Sequence, residues 1–359
     1  MLSDFGDQMT KSVNPTYIIP TPLKEVIGSI RTCLYQSEFC SYSSTDVATA
    51  LVTAAIQNKS LHGVSKRPDS DTDFERIYRG LTIDALKLLI MTQRPPKGTH
   101  ITVLIDGHDK MKCGKDALGL VGTKPKCGTS MAFKYLVAFS NGAQKGIIDV
   151  REMFDGSVTN DAMELIRELA EDYIIDWTVM DGEFYKAELV EYLISAKIPF
   201  ITKRTNTRNI RELRIKYGKP YFYKTNVERP NGKIIHLEYW MYRYRGKAGD
   251  FFLVSNVKNR SKTIRKLFKS RWNIETGFRE INRVSIRTTT RDFLVQLLFY
   301  IVSCMVYNIW QRIRFRYSML IIRLDEIVGC VKRFVKQLNL SATDILGIHR
   351  SRCIWLRIT

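Results

Sequence analysis

Residues 262–283 read KTIRKLFKSRWNIETGFREINR, and the spacing of their apolar positions predicts a helix. Stepping about 100° per residue from Ile264, the side chains of Leu267, Phe268, Ile274, Phe278 and Ile281 gather on one face. Lys262, Arg265, Lys266, Lys269, Glu280 and Arg283 fall opposite, toward solvent. Three polar residues break the pattern: Arg271 at about 340°, Glu275 at about 20° and Asn282 at about 0° stand in the core-facing stripe. An ionised Glu facing a core costs several kcal/mol unless a cation meets it. Arg271 is one candidate at i,i+4, although Arg before Glu is the less favourable order on a helix. A metal ion held jointly with acids from elsewhere in the chain accounts better for the placement.

Working outward, two apolar runs offer such acids. Val103-Leu104-Ile105-Asp106-Gly107 and Thr178-Val179-Met180-Asp181-Gly182 each read as a buried strand that delivers an Asp at its C-terminal end, before a turn-forming Gly. That end of a strand is where α/β sheets place ligands. Around them lie strands at 132–140 and 145–150, joined by the hairpin signal Asn141-Gly142. Helices at 160–172 and 187–196 and a short strand at 199–202 follow. Strand, hairpin, helix, strand, helix, strand is the order of a mixed α/β sheet covered by helices.

Residues 204–254 break the rhythm. Tyr221, Phe222, Tyr223 and Lys224, then Tyr239 to Arg245, alternate aromatics with bases around a turn at Pro230-Asn231-Gly232. This predicts an antiparallel β insertion. Its aromatics either stack on bases or lie buried within a two-sided sheet; the sequence leaves both open. Residues 1–98 read as helical, with helices at 44–59 and 82–92, the second ended by Pro95-Pro96. A small DNA-binding head and a plain helical support both fit. Residues 311–359 form a basic helical tail.

Lys+Arg number 56 against Asp+Glu 36, for a net charge of +20. The excess is concentrated: residues 203–291 hold 24 basic and 6 acidic side chains, while 1–202 are net acidic. A chain so polarised is built to meet a polyanion, and nucleic acid is the first candidate. Its 45% hydrophobic and 26% charged residues exclude wholesale disorder. Seven cysteines without close pairs point to free thiols in a reducing compartment. His108, Cys113 and Cys127 lack the short ligand spacing of a zinc site. The N-terminus has no signal-peptide pattern. Residues 293–310 (FLVQLLFYIVSCMVYNIW) are apolar enough to raise the question of a membrane span. Their Gln296, Ser303 and Asn308 favour a buried core helix and a chain with no membrane partner.

The set Asp106, Asp181 and Glu275 resembles that of the DDE transposases of bacterial and archaeal insertion sequences. The third-acid signature there, Tyr-x2-Arg-x3-Glu-x6-Lys, compares with Phe268-x2-Arg271-x3-Glu275-x6-Asn282. The string Arg271-Trp272-Asn273-Ile274-Glu275 is similar to the usual Arg-Trp-x-Ile-Glu, and Asp181-Gly182-Glu183-Phe184-Tyr185 looks like the second-Asp motif. The resemblance covers residues 99–310. It implies an RNase-H-like α/β domain at 99–310, a mixed sheet flanked by helices, with the β insertion at 204–254 between helical N- and C-terminal regions. Asp106, Asp181 and Glu275 would be catalytic and would hold two Mg²⁺ ions about 3.5–4 Å apart, with Mn²⁺ as a substitute. The activity implied is hydrolysis at transposon ends followed by transfer of the 3′-OH to target DNA, by a homodimer in the DNA complex, in the cytoplasm at the nucleoid. Arg271, Arg279, Asn282, Arg283, Lys203, Arg204, Arg243 and Arg245 are the candidate contacts to double-stranded DNA. Asn282 stands where the family carries a Lys, so Arg279 or Arg283 would supply the missing charge. The competing readings are a non-catalytic DNA-binding copy and a structure-directed RNase-H-like nuclease.

Overall fold

In the computed structural model, which describes residues 20–34, 43–64, 81–112, 117–126, 128–142, 144–153, 158–213, 215–247 and 249–316, the two Asp-Gly runs lie parallel and adjacent. Strand β1 (His100–Met111) and the later strand Ile174–Met180 pair up to Ile105 opposite Met180. Asp106 and Asp181 therefore leave the parallel ladder together. The strand carrying Asp106 does not stop there, as the sequence suggested. It runs on to Met111 because its other edge keeps a partner: Asp106, His108 and Lys110 face Val137, Tyr135 and Phe133 of an antiparallel neighbour. The Asp106-Gly107 step is thus the end of a ladder and not a turn.

The remaining strands are β2 (Leu120–Lys126), β3 (Thr129–Ser140), β4 (Gly146–Glu152), β5 (Ile174–Met180), β6 (Phe200–Arg204), β7 (Pro220–Glu228), β8 (Ile234–Gly246) and β9 (Gly249–Ser255). They form one nine-stranded mixed sheet in the order β2-β3-β1-β5-β6-β9-β8-β7, with β4 also on β3. The hairpin at Asn141-Gly142 joins β3 to β4 as expected. The aromatic insertion is antiparallel and continuous with the main sheet, because β9 pairs with β6 (Thr202 opposite Val254).

Alternation along the strands sorts the core into two layers. Val103, Ile105, Leu136, Ala138 and Met180 face one side, under the helices Val158–Asp172 and Ala187–Ser195. Leu104, Tyr135, Val137, Phe139 and Val179 face the other. By the same period of two, Asp106, His108, Lys110 and Asp181 share the face of Leu104 and Val179.

That face is covered by α1 (Pro20–Cys33), α2 (Ser44–Gln57), α4 (Ile83–Met91) and the helices C-terminal to the sheet, in one hydrophobic cluster. A capping box at Ser43/Asp46 starts α2, and Thr82 caps α4. The short α3 (Leu61–Val64) follows α2. Arg94, just after α4, donates to the Ile148 carbonyl at 3.0 Å and pairs with the buried Asp149, tying the N-terminal helices to β4. Helices α5 (Val158–Asp172), α6 (Ala187–Ser195) and α7 (Arg208–Glu212) belong to the opposite layer and the insertion.

The stretch 262–283 is two helices, not one: α8 (Ser261–Lys269) and α9 (Trp272–Arg283). The Asn273 amide bonds to the Ser270 carbonyl at 2.9 Å and that of Ile274 to Arg271 at 3.0 Å, a tightened 3₁₀-type turn between them. That turn shifts the phase of the second half, so Asn282 ends up exposed, while Ile274, Phe278 and Ile281 stay buried.

Helix α10 (Phe293–Arg316) is long and apolar enough to cross a bilayer, and 94% of its apolar window is buried inside the fold. Its polar groups are satisfied internally. The Asn308 amide accepts from the Ile147 N–H and donates to the Ile147 carbonyl, both at 2.7 Å, so it caps the free edge of β4. Gln296 donates to the Thr290 carbonyl at 2.8 Å. A Cβ at Gly146 would lie 2.6 Å from Asn308 Oδ1, which is why that strand must begin with Gly. Cys113, Cys127, residues 1–19 and residues 317–359 of the basic tail lie outside the described residues.

Candidate active site

The three expected acids meet. Asp106 comes from β1, Asp181 from the end of β5 and Glu275 from the first turn of α9, and all three converge on the Arg271 guanidinium. Arg271 Nη1 lies 3.1 Å from Asp106 Oδ2 and 3.8 Å from Asp181 Oδ2, so these two carboxylate oxygens are about 7 Å apart at most. Nη2 donates to Glu275 Oε1 at 2.6 Å. The i,i+4 partner of Glu275 is therefore real, and it also bridges the two strand acids.

The charge balance around that guanidinium is lopsided. Glu183, in the single 3₁₀ turn after Asp181, stands near these acids, with its Oε1 3.2 Å from where a Gly107 Cβ would be. Burial pushes the Asp106 carboxyl up to about 7. Arg271 opposes that shift, and the neighbouring charges of Asp181 and Glu183 add to it. Burial also raises Glu183, again with Asp181 beside it. Three carboxyl groups on one arginine, with Glu183 nearby, leave a surplus of negative charge, most strongly desolvated at Asp106.

Among the described residues, no three His, Cys, Asp or Glu side chains are placed as a ready metal cage, because the Arg271 guanidinium stands between the acids. The donor set itself suits a hard divalent cation, being carboxylate oxygens only. The residues fit such an ion once Arg271 yields its place.

Farther along, β1 and α9 keep contact. The His108 ring stacks on Phe278, with centroids 4.3 Å apart. Its Nδ1 and the Tyr300 hydroxyl share a hydrogen bond of 2.7 Å, and the Asn282 amide nitrogen reaches its Nε2 at 3.4 Å. Burial, then the charges of Lys110 and Lys126, hold His108 down near 3, so the ring is neutral. The Lys110 ammonium donates to Asn282 Oδ1 at 3.2 Å and to Ser285 Oγ at 2.7 Å.

The other basic candidates divide. Arg279 is exposed and makes one long contact to Thr276. Arg283 pairs with Glu280 at 3.0 Å. Lys203 and Arg245 are exposed. Arg204 turns inward into a cage of Tyr185, Tyr223 and Tyr239, with its guanidinium carbon 4.7 Å from the Tyr223 centroid, and donates to the Tyr239 hydroxyl. Arg243 is held by Asp250 Oδ2 through Nε at 2.9 Å and Nη2 at 2.6 Å. Of the insertion's aromatics, Tyr239, Tyr242 and Tyr244 are buried, while Tyr217, Tyr221 and Phe222 are exposed. Sequence reasoning met His108 only as a rejected zinc ligand and Glu183 only within the second-Asp string, and it did not single out Lys110. The signal available for two of them was the period of two that extends from Asp106 through His108 to Lys110.

The family described as "Transposase DDE domain" matches residues 155–309, a span from just before α5 into α10 that contains Asp181 and Glu275. A cryo-EM structure of the piggyBac transposase synaptic complex with hairpin DNA superposes with a TM-score of 0.50 at 14% identity, covering 92% of this chain and 75% of that one. No curated protein sequence matches the chain. Residues 155–309 thus match a transposase DDE domain, and the chain shares its fold with a transposase.

Proposed function

We propose that this chain is a DNA transposase that cuts phosphodiester bonds at the ends of its own element and joins the freed 3′-OH to target DNA. The observation that carries this reading is the convergence of Asp106, Asp181 and Glu275, from two parallel strands and a separate helix, on a single point. A purely structural role would not gather three carboxyl groups on one arginine, with Glu183 close by and Asp106 buried.

Asp106, Asp181 and Glu275 would hold two Mg²⁺ or Mn²⁺ ions. When bound, such ions activate the attacking hydroxyl and stabilise the leaving oxygen of an in-line displacement. The protein's own part is placement. The parallel ladder fixes Asp106 and Asp181 in register, α9 brings Glu275 against them, and Arg271 keeps the acids compatible with folding before substrate arrives. The exposed Lys203, Arg245 and Arg279 are proposed to meet phosphates of the double-stranded DNA, with two copies of the chain acting on paired ends.

The test uses the full chain and a labelled duplex spanning the junction between the coding element and its flank. Strand cleavage at the junction, dependent on Mg²⁺ or Mn²⁺ and leaving a 3′-OH, is expected. Tight binding with no cleavage in either ion would favour the non-catalytic reading. Cleavage dictated by branched or hybrid structure, and not by the junction, would favour the nuclease.

A further inference from the structure

We infer that Lys110 is a phosphate-binding residue, holding a backbone phosphate of the DNA strand that crosses the acid site, a few nucleotides from the bond that is cut. The inference rests on the transposase reading above and adds to it a residue outside the acid cluster.

Three observations carry it. First, Lys110 is a cation whose partners are neutral: Asn282 Oδ1 and Ser285 Oγ. Among the described residues no carboxylate lies within ion-pair distance of it. Burial holds its ammonium down to about 8, the mark of a charge withdrawn from water without a counter-charge. Second, its position is aligned with the acids. Asp106, His108 and Lys110 project from one face of β1, and Glu275, Phe278 and Asn282 run alongside on α9. Lys110 is about 13 Å along the strand from Asp106, and Asn282 about 10 Å along the helix from Glu275. One DNA strand spans that distance in about three or four nucleotides.

Third, the ammonium is held by a fixed hydrogen-bond chain. An ammonium can only donate, so it takes the Asn282 carbonyl oxygen and turns the amide nitrogen toward His108 Nε2. His108 then donates from Nδ1 to Tyr300. A lysine at position 282 could not bridge Lys110 and His108 in this way. Asn282 is therefore the support for a cation that arrives from β1. Neither Arg283, which pairs with Glu280, nor Arg279, out on the exposed face of α9, stands at this point.

Binding of a fluorescent duplex spanning the element's junction is measured against salt for the wild-type chain, for Lys110→Gln, and for Lys110→Gln combined with Asn282→Lys. The wild type should bind with a steep salt dependence; if it does not bind DNA at all, the transposase reading itself fails. Lys110→Gln should make the slope shallower by about one unit, which is about a fourfold smaller loss of affinity between 50 and 200 mM salt. The double variant, which returns a cation to the same place, should restore the slope. Lys110→Gln should also melt at or above the wild-type temperature, since it removes a desolvated charge. An unchanged slope against a steep wild-type one overturns the assignment. So does a variant that melts lower or fails to fold, because Lys110 would then be a structural tie between β1 and α9.

Discussion

Arg271 and Asp106, 165 residues apart in sequence, meet at 3.1 Å through Nη1 and Oδ2. The same guanidinium reaches Glu275, so one side chain serves as counter-ion to acids that come from three elements. It comes from the tight turn between α8 and α9, and its own Nε is buried without a partner. The turn puts the guanidinium at the point on which those acids converge.

Arg271→Gln should therefore act oppositely on the metal-free and metal-bound protein. Without metal, the acids lose their cation and the chain should be destabilised by about 2 kcal/mol. That is less than the roughly 3–5 expected for a fully buried pair, because Asp181 and Glu275 keep some contact with water. With Mg²⁺ present, the rise in melting temperature should exceed that of the wild type, as the ion no longer competes with a guanidinium. An equal rise in both proteins would count against a shared position.

Asp181→Asn should abolish cleavage and leave affinity for the junction duplex equal or higher. The change removes an oxygen donor needed in the transition state and a negative charge that faces the phosphates. Cleavage and binding measured on one duplex decide it, and near-normal cleavage in Mg²⁺ would sink the assignment of Asp181.

Much of this was legible before any coordinates. Continuous apolar runs gave β1 and β5, Asn141-Gly142 gave the hairpin, and Glu275, the one acid among three polar residues on the apolar stripe, gave the third acid. What escaped notice has physical causes. The second half of β1 is polar, since Asp106, His108 and Lys110 meet polar partners on α9 and α10 or just beyond them, and a polar run after Asp-Gly looks like a turn. The α8/α9 break contains neither Gly nor Pro, so nothing in local propensity marks it. Arg204 and Arg243 read as surface bases because their partners, three tyrosines and Asp250, are set by pairing across the insertion.

Lys110 also gives a pH dependence. Its ammonium sits near 8, below the usual lysine range, with burial the main cause. The groups around it are the neutral His108 on its own strand, Asn282 and Ser285 at the end of α9, Cys304 of α10, and Lys126 of β2 nearer His108. A base with a depressed folded-state value releases its proton in the folded chain first. Stability from this group therefore rises as pH climbs from about 8 toward 10.5, while its hold on phosphate weakens over the same range. Wild-type affinity for the duplex should decline above pH 8 more than that of Lys110→Arg, whose charge persists. Parallel declines in the two proteins would remove Lys110 as the cause.

The insertion offers the sharpest separation of DNA contact from architecture. Lys203 and Arg204 are neighbours on β6, yet Lys203 is exposed and Arg204 is enclosed by Tyr185, Tyr223 and Tyr239. Likewise on β8, Arg245 is exposed, whereas Arg243 is held by Asp250. If the exposed pair meets phosphates, Lys203→Gln and Arg245→Gln should each make the salt slope of binding shallower by about one unit and leave the melting temperature almost unchanged. Arg204→Gln should do the reverse. It empties a cation–π cage and takes the guanidinium donor from the Tyr239 hydroxyl, a loss of about 1–2 kcal/mol, with the slope kept. Salt titrations and thermal melts of the variants side by side make the distinction. Should Arg204→Gln flatten the slope as much as Lys203→Gln at an unaltered melting temperature, the cage would have to open to DNA, and this division of the basic residues would be wrong.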